Sequence, residues 1–184
     1  MEAPKTYCDF TRDLDLTNVH RIYHDNLYGF PIDDDDELFE RLVLEINQAG
    51  LSWNTILVKQ QNFKKAFHRF SISKVASYDE TEIARLLNDA GIIRNRLKIN
   101  AAIHNANVIL QLQNDFGSFR RWLDLQHPKK LQEWTKLFRQ TFKFTGGEIV
   151  NEFLMSTGYL PGAHAESCPY YREVLKAKPS WLLK

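Results

Sequence analysis

The apolar residues of this chain recur at the three-to-four spacing of helices, and no segment alternates apolar with polar residues for more than a few positions. A sheet with one solvated face needs that alternation, so the patterning leaves little from which to build one. The clearest helix reads Glu37-Leu-Phe-Glu-Arg-Leu-Val-Leu-Glu-Ile-Asn-Gln-Ala-Gly50. The acidic run Asp33 to Asp36 favours its start, and Gly50 suits its end. At about 100° per residue, Phe39, Leu42, Val43 and Ile46 share an arc of about 140°; Glu37, Glu40 and Arg41 fall well away from it. Glu45 lies about 20° outside the arc, beside Leu38, at the border of the buried face. Further helical patterns cover Trp53 to Phe67, Glu80 to Asp89, Arg94 to Gln113, Phe119 to Leu125, Leu131 to Phe142, Glu148 to Thr157 and Tyr170 to Ala177. The expected fold is all-α.

With 184 residues, 43% hydrophobic and 26% charged, the chain reads as one globular domain spanning 1–184. At this length roughly 70% of the unfolded surface can be buried, so neither disulfides nor a metal is needed merely to fold. There is no internal repeat, low-complexity tract or Gly/Pro/Ser-rich linker. No stretch has the roughly 18 to 20 apolar residues of a membrane span, and Met1 to Lys5 lacks the apolar core of a signal peptide. A cytoplasmic protein is expected. The net charge of +1 excludes a grossly basic nucleic-acid coat protein but leaves room for a local cationic stripe.

The only cysteines, Cys8 and Cys168, lie near opposite ends of the sequence. His164 and Cys168 are spaced so that an imidazole and a thiolate can converge on one tetrahedral ion, and Cys8 with His24 could complete a closed site of two sulfurs and two nitrogens. Equally, the cysteines could be small core residues and the histidines surface groups. Glu45 followed by Gln48-Ala-Gly-Leu-Ser-Trp53 sets a carboxylate one turn before a loop bearing an indole, which suits a planar ligand that stacks and donates hydrogen bonds. A helix end, a solvated glutamate and a core tryptophan explain the same residues. Between Leu87 and Lys98 one helix ends at Gly91 and another begins almost at once with Arg94, Arg96 and Lys98. Amides at such a hairpin, with nearby cations, can hold a DNA phosphate without reading sequence, or the hairpin is a solvated basic turn. Gly146-Gly147 is either a second phosphate nest or a flexible helix start.

Read together, the blocks Tyr23-His-Asp-Asn26, Leu38-Phe39-Glu40, Leu44-Glu45, Gln48-Ala-Gly-Leu-Ser-Trp53, Asp89-Ala-Gly-Ile-Ile-Arg94, Phe142-Lys-Phe144 and His164-x-x-x-Cys168 resemble, in order and over nearly the whole chain, the bacterial DNA-3-methyladenine glycosylase I family of the helix-hairpin-helix glycosylase superfamily. The resemblance implies one structural zinc held by Cys8, His24, His164 and Cys168, tying the termini together. It implies a pocket in which Glu45 hydrogen-bonds a flipped methylated adenine, with Tyr23 as polar partner and Trp53 as stacking wall. Leu51 would be the wedge that fills the gap in the duplex. The hairpin Gly91 to Arg96, with Lys98, and the helix start near Gly146 would clasp phosphates. The implied partner is double-stranded alkylated DNA, bound by a monomer that acts as a monofunctional N-glycosylase.

The chain departs from the family pattern mainly around the pocket. Phe10 and Tyr28 stand where tryptophans are usual, which leaves a smaller, altered stacking surface, and Leu27 replaces a usual glutamate. Ile46 takes a usual glycine position and Asn47 differs beside it, so Ile46 is expected to narrow the pocket or shift its helix. Leu97 and Glu148 replace a small residue and a threonine near the phosphate clasps. These changes leave two rivals to 3-methyladenine excision: a lesion-binding protein without excision, and a glycosylase with a shifted alkylpurine preference.

Overall fold

The structure, a computed structural model, describes residues 6–183. Met1 to Lys5, read above as lacking a signal-peptide core, lie outside the described residues. Every regular element among the described residues is helical. The helices are α1 (Tyr7–Arg12), α2 (Val19–Asn26), α3 (Asp35–Gln48), α4 (Trp53–Ala66), α5 (Ile72–Ala76), α6 (Glu80–Asn88), α7 (Arg96–Phe116), α8 (Phe119–Gln126), α9 (Leu131–Thr141), α10 (Gly147–Ser156) and α11 (Pro169–Lys176). Single 3-10 turns cover His68–Phe70 and Ser180–Leu182. No described helix is long and apolar enough to cross a membrane.

Helix α3 is the axis of the fold. It packs against α4, α5, α7, α8 and α10, and every residue from Leu38 to Asn47 is buried. The expectation that Glu40 and Arg41 lie away from the packed face is therefore corrected: neighbours surround the helix, and its polar side is buried as well. Each buried charge has partners. Glu40 accepts from Gln60 at 2.9 Å and pairs with Lys64 at 3.0 Å. Arg41 donates to the Tyr23 hydroxyl at 3.4 Å and the Ser156 carbonyl at 3.3 Å.

The acidic run starts more than one helix. Asp34 caps α3 by accepting from the Glu37 amide, and Asp36 accepts from Ile72 at the start of α5. Asp35 accepts from the Phe119 and Arg120 amides at the start of α8. Carboxylates at exposed helix amides satisfy orphan donors and suit the helix dipole. Helix α7 begins at Arg96 and ends at Phe116, two residues later than expected at its start, because Asn95 takes the cap by accepting from the Lys98 amide.

Candidate active site

Helix α3 ends at Gln48 with Ala49 as its cap, and Gly50, at a φ of 82°, reverses the chain in the left-handed region that glycine enters without steric cost. Ser52 then caps α4 by accepting from the Thr55 amide, which brings Trp53 back beside the end of α3. This local geometry opens a cavity of about 470 Å³, with Glu45 and Gln48 from α3 and Trp53 from α4 on one side. Tyr7 of α1, Tyr23 of α2, Tyr28 of the turn after it, and Glu148 and Glu152 of α10 complete the lining. The rings pack on one another: Tyr23 meets Trp53 edge-on at 5.2 Å and tilts against Tyr28 at 5.5 Å.

Glu45 is 3% exposed, yet its carboxyl makes no hydrogen bond to any described residue. Burial, reinforced by the nearby Glu152 and only partly offset by Arg41, pushes its pKa from the ordinary 4.5 up to about 8. Burial likewise holds the Tyr23 and Tyr28 phenols well above their ordinary range, so both are hydroxyl donors at neutral pH. An empty pocket therefore presents a neutral carboxyl between aromatic walls. It becomes an anion when a cation is set against it.

Behind Tyr28, Cys8, His24, His164 and Cys168 converge, all buried, with their ligand atoms within 4.8 Å of one another. The Cys168 sulfur lies 3.7 Å from Nδ1 of His164 and 3.8 Å from Nε2 of His24, and the Cys8 sulfur lies 3.8 Å from Nδ1 of His164. Sulfur and nitrogen ligands of one tetrahedral ion stand about 3.6 Å apart, so the quartet fits a metal. Each imidazole also has an outer partner that fixes its orientation. His24 Nδ1 lies 2.6 Å from the Asp25 carboxylate, and His164 Nε2 lies 2.7 Å from the Tyr28 carbonyl. The chain passes close here through Gly29, at a φ of 85°, where a Cβ would stand 2.7 Å from that of Ala163.

Helices α6 and α7 form a hairpin through residues 89–95. The Gly91 amide is occupied, donating to the Asp89 carboxylate at 2.7 Å, and the Gly91 carbonyl accepts from Lys59 and Asn62 of α4. Arg96 is paired with Glu80 at 2.9 Å. Lys98 donates to the Asn47 and Ala49 carbonyls at 2.9 and 2.8 Å, closing the end of α3. Arg94 is exposed and makes no ion pair among the described residues. At the start of α10, Gly146 occupies the cap without a side-chain hydrogen bond, and nothing lies within 4 Å of where its Cβ would be.

A sequence profile described as methyladenine glycosylase matches residues 14–135. DNA-3-methyladenine glycosylase 1 of Escherichia coli (strain K12) is 37% identical, over 81% of this chain and 89% of its own. The chain belongs to the methyladenine glycosylase family. Among solved structures, 3-methyladenine DNA glycosylase I from Staphylococcus aureus superimposes with a TM-score of 0.80 at 30% identity, covering 91% of this chain and 97% of that one. A variant of 3-methyladenine DNA glycosylase I in complex with 3-methyladenine superimposes with a TM-score of 0.75 at 32% identity, covering 83% and 91%.

Of the residues the sequence analysis assigned to base binding, Tyr23, Tyr28, Glu45 and Trp53 line one cavity. Phe10 does not line it; 40% exposed, it stacks on the outside of Tyr7 at 6.1 Å. Ile46 is 1% exposed within the main apolar core, so the glycine departure is absorbed by core packing and not by the pocket. Leu51, 40% exposed, lies in the turn between the lining residues Gln48 and Trp53 and does not itself line the cavity. Gly91, Arg96 and Lys98, which the sequence analysis set at phosphates, each have a partner within the fold. Sequence reasoning missed Tyr7 and Glu152 altogether. Tyr7 sits on a six-residue helix too short to show a period. The one available signal for Glu152 was its place four residues after Glu148, on the same helical face.

Proposed function

We propose that this member of the family is a monofunctional DNA N-glycosylase that flips 3-methyladenine out of alkylated duplex DNA, excises it and leaves an abasic site. The observation that carries this reading is Glu45: a buried, unpartnered carboxyl aimed into an aromatic cavity large enough for a purine. Extrusion costs a few kcal/mol, and Leu51, exposed in the turn between α3 and α4, offsets part of that by filling the gap in the stack. The adenine ring enters against Trp53 and Tyr23, and its positive charge draws Glu45 into the ionised form, which accepts hydrogen bonds from the base. The C1′–N9 bond then breaks with its electron pair passing to the ring, which leaves as a neutral base. Water adds at C1′ and one proton is released. The alkylated ring is already a good leaving group, so positioning and charge selection are the pocket's main tasks. Among the described residues the pocket lining contains no lysine to form a Schiff base, in keeping with a monofunctional enzyme.

In this reading Cys8, His24, His164 and Cys168 would hold one zinc ion, which with four protein ligands supplies a cross-link between the chain ends and no open coordination position. Arg94 and the uncapped amides at the start of α10 would meet phosphates on either side of the flipped nucleotide. The chain would act as a single-domain monomer in the cytoplasm. Kinetics of Glu45→Gln and Trp53→Ala on a duplex carrying 3-methyladenine test the assignment. Excision should fall about ten- to a hundredfold in the first through loss of a charged hydrogen bond, and comparably in the second through loss of stacking. Unchanged rates in both would remove Glu45 and Trp53 from the site.

A further inference from the structure

The pocket lining holds a second buried acidic group that the mechanism above leaves unused. Glu152 of α10 lines the cavity with Glu45, close enough to raise the pKa of Glu45, and its carboxylate accepts a hydrogen bond from the Tyr28 hydroxyl at 3.2 Å. Glu148 stands one turn earlier on the same face, exposed at the rim. Among the described residues no lysine or arginine lines the cavity, and the guanidinium of Arg41, 5.1 Å from the centroid of the Tyr23 ring, is engaged with the Tyr23 hydroxyl and the Ser156 carbonyl. Carboxyls from α3 and α10 and the rings of Tyr7, Tyr23, Tyr28 and Trp53 therefore line one slot. Aromatic faces attract cations, and desolvated carboxylates do so more strongly.

We propose, resting on the assignment of an alkyladenine glycosylase, that Glu152, held in place by Tyr28, is a specificity-determining residue that selects the positive charge of an N-alkylated purine while it is still joined to the sugar. Burial and the neighbouring Glu148 push Glu152 toward its neutral form, while the Tyr28 hydrogen bond counters them. Tyr28 thus keeps Glu152 able to ionise as a cation arrives. Normal adenine, neutral in the duplex, gains nothing from this group. The excised base is neutral too, because the bonding pair of C1′–N9 has passed to its ring, so it loses the attraction of Glu152 and leaves.

Two probes of nearly one shape separate charge from fit. In 3,9-dimethyladeninium a methyl group at N9 stands for the sugar and locks the cation; 3-methyladenine at slightly alkaline pH is neutral. Their dissociation constants, read from Trp53 quenching with the full chain, should show wild type preferring the cation. Glu152→Gln should cut that preference about tenfold through the cation's affinity alone, leaving the neutral base within about twofold. Tyr28→Phe should cut it in the same direction. An unchanged preference in Glu152→Gln overturns the proposal, as does an equal loss for both probes, which would make Glu152 merely structural. Base release from methylated duplex by wild type is scored separately: its absence counts against the excision reading, and the probe ratio still decides the role of Glu152.

Discussion

At the scale of single residues the chemistry turns on a carboxyl that folding keeps protonated. Below about pH 4 Glu45 carries a proton in both folded and unfolded chains. As pH rises from there to about 8, the unfolded chain ionises first while burial holds the folded residue neutral, so stability falls through that window. Glu45→Gln removes the effect: its melting temperature should match wild type near the acid end and exceed it at the alkaline end. Equal melting curves at both ends would mean that Glu45 is solvated. Tyr23 was assigned only through the family resemblance; Glu45 and Trp53 were legible in the sequence because one short block carries both. Glu152 was not, since more than a hundred residues separate it from Glu45 and only the packing of α10 against α3 brings them together.

Among the elements, α3 and α7 do the positioning. The apolar arc of α3 was readable, but the burial of its polar side was not, because periodicity reports one preferred face and α3 is enclosed by neighbours on all sides. Ile46→Gly follows from this: with Ile46 in the core, the substitution should destabilise the chain by about 3 to 5 kcal/mol and bring no gain in activity. Faster excision by a stable Ile46→Gly chain would put Ile46 back in the pocket. The hairpin turn and the start of α7 together carry three cations with different duties. Arg94→Ala should weaken lesion-bearing and undamaged duplexes alike and lower the salt slope by about one unit. Arg96→Ala should do less, because its guanidinium is shared with Glu80. Lys98→Ala should instead lower the melting temperature, because two carbonyls at the end of α3 lose their donor. Helices α1, α2 and α5 escaped the sequence reading for one physical reason. They are short, and α1 and α2 bury polar groups such as Thr11, His20, His24 and Asp25 in place of an apolar stripe.

For the molecule as a whole, the Cys8–His24–His164–Cys168 quartet joins the first helices to the last and lies against the backbone of a pocket residue, Tyr28. One zinc per chain is expected by elemental analysis. Chelation should lower the melting temperature, because binding to the folded state is folding energy, and Cys168→Ala should reproduce the loss. Well under half an equivalent of metal, together with unchanged melting of Cys168→Ala, would leave the quartet as packing alone. The central claim is that this pocket breaks a glycosidic bond, and release of free base from methylated duplex DNA tests it most directly. The account predicts that the wild-type chain liberates 3-methyladenine and leaves an abasic site, with Glu45→Gln markedly slower. A folded chain that binds the methylated duplex yet releases no free methylated purine would contradict it.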